Sequence, residues 1–460
     1  MRAGRIGAAF STGNFVGYGG RDALWFGEAS AGDDTCQENF FAAVAVVGSV
    51  VWTTHSFGAD AELDALNLEA APPATEQTKP AQARVYGQVA AGVAENRYGQ
   101  GRERPTRVSL DAHYATRLTP AWKALISDRI DQIHPTARGA DSVINTLREA
   151  YATWQDSAQE LTFDVGRVNL RTGPAYGFNP TDFFRAGSVR ASVSTDPIAL
   201  RDSRMGTVAV RAQKLWLGGS AAAVFAPKLG NQRSNSGLSL DLGSTNDARR
   251  GMLTVSQQFS NGFEAQWLAY KSAGKAVQWG ASATYLVTDA AVAFVEGSTG
   301  RERPIASRAW AGGAGPEQRT NRFAGGFTLS LPGAMSVTTE VQHNGAALDS
   351  KSWGQAFGLG GAERLGAYLL SADQAQDLAA RKAVLLYLTK KGFVFSQVDA
   401  TFLIRMNTQD RSKLTWLELR TALTQFEFAL QLQQNDGGAS SEYGLIPTRR
   451  SAQAVLTYRF

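Results

Sequence analysis

The residues of this 460-residue chain with the most chemical character lie between 171 and 204. The stretch carries Arg171, Arg185, Arg190, Arg201 and Arg204 against Asp182, Asp196 and Asp202, a local surplus of two positive charges. Tyr176, Phe178, Phe183 and Phe184 are interleaved with them, which is unusual for a freely solvated loop, and Asn179-Pro180-Thr181-Asp182 is a strong turn and cap signal. Arginine with aromatics in an ordered loop suits a constriction selecting anionic solutes by charge and planar hydrogen bonding. An alternative is a loop packed on a rim, its arginines bound to lipopolysaccharide phosphates. Catalysis is a poor fit. His55, His113, His134 and His343 are scattered without metal spacing, and no HExxH, GxSxG or phosphate-loop pattern occurs. The chain is read as a non-enzyme with no cofactor and no metal.

The elements that must hold such a loop are strands. From Arg84 onward the dominant period is two: Phe323, Gly325, Phe327, Leu329 and Leu331 share one face, with Ala324, Gly326, Thr328 and Ser330 on the other. Strands are predicted at 84–96, 107–117, 122–133, 144–153, 160–170, 205–216, 220–227, 248–258, 263–272, 276–287, 290–297, 321–331, 335–344, 379–389, 393–406, 412–421, 425–434 and 451–460. That makes eighteen, with sixteen the competitor because 144–153 and 220–227 are weak. Short turns (118–121, 217–219, 259–262, 288–289, 332–334, 390–392, 422–424) alternate with longer polar connections (97–106, 134–143, 171–204, 228–247, 298–320, 345–378, 435–449). A soluble sandwich has no reason to put its long loops at every second connection, whereas an outer-membrane barrel has short periplasmic turns and longer outer loops. The expected fold is all-β: one transmembrane antiparallel barrel over 84–460. A barrel of that size holds a water-filled lumen.

Composition agrees. Only 19% of residues are charged, 10% are aromatic, 47 are Gly, and the single Cys36 rules out an internal disulfide or a Cys-built zinc site. The apolar run Phe40–Trp52 is too short for a membrane helix and reads as the core of a signal peptide, with Ala59-Asp60-Ala61 as its cleavage pattern. The acidic flank before it (Glu28, Asp33, Asp34, Glu38) is wrong for a signal and suggests a start called too far upstream. Residues 62–83 read as a periplasmic linker. Without residues 1–61 the balance is 43 basic to 35 acidic, a net charge of +8, too diffuse for a nucleic-acid surface.

With this phasing Asp111, His113 and Arg117, then Arg211 and Gln213, then Glu264, Gln266 and Tyr270 face the lumen. So do Glu340, Gln342, Asp399, Arg405, Glu418 and Arg420, because a charge on the lipid face near mid-bilayer costs about 2–4 kcal/mol. The candidate constriction and solute-binding set is Arg171, Arg185, Arg190, Arg201, Arg204, Arg211, Arg117, Tyr176 and Asp182, with Arg148 and Arg405 as further basic lumen residues. The chain ends on Ala452-Gln-Ala-Val-Leu-Thr-Tyr-Arg-Phe460. Phe460, Tyr458 and Leu456 at every second position resemble the C-terminal assembly signal of Gram-negative outer-membrane barrels, which is read by the barrel-assembly machinery.

Gly166-Arg167-Val-Asn-Leu-Arg171-x-Gly173, then Gly177-Phe-Asn179-Pro180-Thr-Asp182 and Asp196-Pro197…Leu200-Arg201, resemble large Gram-negative outer-membrane barrels, the porin-like and alginate-export-type channels. The resemblance covers some 50 residues, without the tryptophan expected in the Gly-Arg loop. It implies an integral outer-membrane channel, set among lipid and lipopolysaccharide, passing a small solute or an acidic polysaccharide. Three functions are consistent with these residues: a passive channel for small, anionic solutes, an exporter of an acidic polysaccharide, or a plugged surface barrel in adhesion or structure.

Overall fold

The computed structural model describes residues 82–460 apart from 100, 137–140, 235, 261 and 311–314. The signal segment and nearly all of the expected linker lie outside the described residues. Eighteen antiparallel strands form one closed sheet: β1 Gln82–Asn96, β2 Thr106–Arg117, β3 Trp122–His134, β4 Val143–Gln155, β5 Leu161–Val168, β6 Thr207–Trp216, β7 Gly219–Ala226, β8 Arg250–Ser260, β9 Phe263–Ser272, β10 Gln278–Thr288, β11 Ala291–Glu302, β12 Gln318–Leu331, β13 Met335–Asn344, β14 Lys382–Lys390, β15 Val398–Asn407, β16 Lys413–Ala422, β17 Phe426–Asp436 and β18 Thr448–Arg459. A two-residue bridge, Arg102–Glu103, adds to the outer end of β1. Each strand pairs with its sequence neighbours, and β1 pairs with β18 from Tyr86↔Arg459 to Asn96↔Thr448, so no edge stays open.

Both weak strand signals are real strands, which decides for eighteen over sixteen. Sequence marks them poorly because residues such as Glu149 and Tyr151 in β4 pack inward against loop atoms, and the apolar-polar alternation is lost there. The barrel starts at Gln82, two residues before the predicted first strand.

The wall inverts the pattern of a soluble protein. In β2, Val108, Leu110 and Tyr114 are exposed on the outside (Leu110 at 50%), while Arg107, Ser109 and Asp111 between them are buried inside (Asp111 at 9%). Trp267, Trp279, Val295, Phe323, Phe327, Val341, Phe428 and Leu456 continue the apolar outer face around the barrel. That face is stable only against hydrocarbon. No helix among the described residues is long and apolar enough to cross a membrane, so the strands are the spanning elements.

Connections 118–121, 217–218 and 332–334 are short, and the long ones at the other end carry α1 Pro197–Asp202, α2 Leu242–Thr245, α3 Ile305–Trp310, α4 Ser350–Gln374 and α5 Glu442–Leu445. The expected polar loop 345–378 is thus mostly helix. Asp349 caps it by accepting from the Ser352 backbone N–H at 2.8 Å, and Gly361 (φ 60°) kinks it midway. α4 packs on α3 through Tyr368, Trp353 and Trp310, with the Arg364 guanidinium 4.0 Å above the Trp310 ring.

Candidate permeation site

The chain leaves the wall at the end of β5 and re-enters it at β6, and the residues between cross to distant strands. The Glu340 carboxylate on β13 accepts the backbone N–H groups of Tyr176, Gly177 and Phe178 at 2.7, 3.1 and 3.1 Å. Glu296 on β11 accepts from the Ala175 N–H and the Asn179 amide at 3.1 and 3.0 Å, and from the Thr181 hydroxyl. Arg405 on β15 donates to the Gly177 carbonyl at 2.7 Å. Phe183 stacks on Tyr270 of β9 with ring centroids 4.8 Å apart. Further on, Tyr387 of β14 donates to the Asp196 carboxylate at 3.3 Å, Thr195 donates to Gln433 of β17 at 2.8 Å, and Arg107 of β2 reaches the Val193 carbonyl at 3.3 Å. A segment that touches β2, β9, β11, β13, β14, β15 and β17 lies within the barrel, across its lumen. The infolded arrangement expected for 171–204 is the one observed.

Local sequence makes this path possible. Gly173 has φ +87°, and a Cβ there would sit 2.0 Å from Glu296 Oε2. Asn179 closes the turn by donating to the Ala175 carbonyl at 2.6 Å, and the Asp182 N–H returns to the Asn179 carbonyl at 3.2 Å. Asp196 caps α1 through the Ile198 N–H, with Pro197 in the first turn where no N–H is needed.

The five loop arginines are engaged within the protein. Arg204 pairs with Asp182 at 2.9 Å, and Arg201 lies 3.8 Å from the same carboxylate while donating to the Thr172 and Gly173 carbonyls. Arg185 pairs with Asp377 at 3.0 Å, Arg190 binds the carbonyls of Ser236 and Ser239, and Arg171 forms an exposed pair with Asp202. They hold the loop's shape. Beyond the three loop aspartates, the carboxylates of Asp377, Glu296 and Glu340 also lie against this segment. Tyr176 packs against Tyr387 and Phe294 as part of the wall contact.

Of the remaining predicted residues, Arg211 faces inward beside Asp164 at 4.0 Å and donates to Gln213. Arg117 is exposed at the short-turn end of β2, opposite Lys123, and is not brought together with the loop. A basic patch on β2–β4 replaces it. Arg129 donates to Asp131, Gln88 and Ser109, all at 2.9 Å, and lies 3.4 Å from Asp111, which also pairs with Arg148. With Arg107 beside Asp131, three guanidinium groups face two carboxylates. Arg420, Glu418, Glu427 and Arg459 form a second inward network on β16–β18.

Sequence reasoning missed Glu296, Arg129 and Asp377. The first two sit at inward positions of the same two-residue period, so strict phasing finds them. Asp377 had no such signal. It lies between α4 and β14, and its carboxylate holds Arg185, Arg308 and Arg322 at 3.0, 3.0 and 2.9 Å and accepts from Asn344 at 3.3 Å. Burial opposes its charge, but Arg322, Arg185 and Arg308 outweigh that and hold its carboxyl well below the usual range.

No protein-family model matches the sequence, and no curated protein matches it. Solved structures do match by shape. OccAB1 of Acinetobacter baumannii aligns with a TM-score of 0.54 at 10% identity, covering 83% of this chain and 96% of that one. A BenF-like porin from Pseudomonas fluorescens aligns at 0.52 and 8% identity, covering 83% and 98%. The outer membrane protein opdK of Pseudomonas aeruginosa aligns at 0.50 and 9% identity, covering 82% and 99%. Closed on eighteen strands, apolar outside and crossed inside by one loop, this chain has the fold of the large outer-membrane porin barrels.

Proposed function

We propose that the protein is a passive channel of the Gram-negative outer membrane for small hydrophilic solutes, with a preference for anions among simple ions. The observation that carries this reading is the infolded loop 171–204, which narrows a lumen of eighteen strands instead of leaving it a wide pore. Anion preference is supported by the guanidinium cluster on β2–β4, where Arg107, Arg129 and Arg148 gather around Asp111 and Asp131. Fixed charges at a narrowing raise the local concentration of counter-ions in proportion to their surplus.

An acidic-polysaccharide exporter is less well supported, because the inward arginines face carboxylates and do not form a continuous free ladder. A plugged barrel is the reading to exclude, since the loop touches so many strands. Planar-bilayer recordings of the purified protein under a salt gradient test all of this. Stable unit steps with a reversal potential toward anions are expected, and Arg129→Gln should reduce that preference. A folded, heat-modifiable barrel that passes no current would refute the channel.

A further inference from the structure

Where the loop tip meets the barrel seam there is an open pocket of about 690 Å³, counting its solvent-filled mouth. One side is the tip itself, with Ser192, Ser194 and Thr195. The other is the wall near the β18–β1 closure, with Gln431 and Gln433 on β17 and Gln453 on β18. Thr195 bonded to Gln433 sets the distance between tip and wall, and Gln431 is oriented by donating to Glu418 at 2.6 Å.

The chemistry of this lining is selective. Hydroxyl and amide side chains both donate and accept, whereas guanidinium only donates and carboxylate only accepts. Among the lining residues Arg107 is the one charged group, and its guanidinium already faces Gln88 at 3.0 Å, the Val193 carbonyl at 3.3 Å and Asp131 at 3.9 Å. A carboxylate entering the pocket would therefore meet no uncommitted cation and several acceptor atoms. A sugar hydroxyl, itself donor and acceptor, matches every polar group present.

We propose that the seam pocket is a recognition site for uncharged polyhydroxyl solutes. This rests on the channel reading and deepens it: simple ions respond to the net charge of the lumen, while the solute held at the seam is neutral.

The test uses single-channel recordings of the full protein with galactose and galacturonate, which differ by one carboxylate. Galactose should cause brief closures whose frequency rises with concentration, galacturonate fewer, and a polyethylene glycol of similar size none. Gln453→Leu should shorten the closures roughly fivefold, the loss of about one hydrogen bond, with conductance unchanged. Ser194→Ala provides a second reading from the loop side, in the same direction. Open channels that galactose does not block, or that galacturonate blocks more strongly, would overturn the proposal while the channel stands. Absence of any current would defeat the channel reading and this one with it.

Discussion

Asp377→Asn is the sharpest perturbation available, because one carboxylate holds the infolded loop, the α3 connection and the wall together. Its side chain is 2% exposed, and three arginines converge on it, with side-chain exposures of 12% (Arg185), 30% (Arg308) and 8% (Arg322). Removing one member of a buried ion pair costs about 3–5 kcal/mol, since a charge is left buried and uncompensated. Two partners lessen that here. Arg308 is partly solvated, and Arg322 keeps its pair with Glu302. Arg185 retains the carbonyls of Gln376, Asn179 and Asp182, but no carboxylate. The loss should then be about 3 kcal/mol, concentrated where Arg185 meets the loop. Hydrogen exchange in detergent should show amides of 179–188 opening about a hundredfold more often, with the strand amides unchanged. Asp202→Asn is the matched control: its pair with Arg171 is about half exposed on both sides and is worth at most about 1 kcal/mol. Equal exchange for the two variants would refute the reasoning. A depressed carboxyl contributes stability above its unfolded pKa and loses it only as pH falls through the lower folded value. The anchor should therefore hold without change from pH 5 to 8.

Three further outcomes are expected. Gly173→Ala should release the 173–181 segment, because the added methyl meets Glu296 at a positive φ; the measurement is larger or noisier conductance at unchanged barrel stability. Glu442 in α5 is pushed up to about 7 by burial and by Asp410, so its contribution is fully present below the ordinary carboxylate pKa and lost as pH rises through about 7. Relative to intrinsic exchange, protection of 437–446 should fall between about pH 5 and 7 in the wild type and stay level in Glu442→Gln. Deleting Phe460, whose ring packs edge-on against Tyr458 at 4.8 Å, should lower the amount of barrel inserted in cells. Detergent refolding, which needs no assembly machinery, should proceed as before. Equal insertion would remove the role given to the terminal aromatics.

Much of this molecule was legible without coordinates, because its main signal is local. A strand that separates hydrocarbon from water must alternate, so Val108-Ser109-Leu110-Asp111 declares its two faces within four residues, and turn lengths then order the strands. The inward phase of Asp111, Arg211, Glu340 and Glu418 followed from the same period. Helix α4 was not legible: four glycines between Gly354 and Gly361 dilute its periodicity, and packing of its Tyr368 against Trp310 of α3 holds it.

The sequence by itself determined the barrel, its strand number within two, and a loop rich in arginine and aromatics, but left open whether that loop folds inward or packs on the rim. Only the tertiary structure decided what those arginines do. Asp182 lies close enough to Arg201 and Arg204 for local pairing to be imagined, but Arg185 finds Asp377 across 192 residues, and Glu296 and Glu340 reach the loop from strands more than 110 residues away. Pairing at that distance depends on barrel closure and register, which no local pattern encodes. The loop's charges were therefore readable as charges, and their commitment to one another was not.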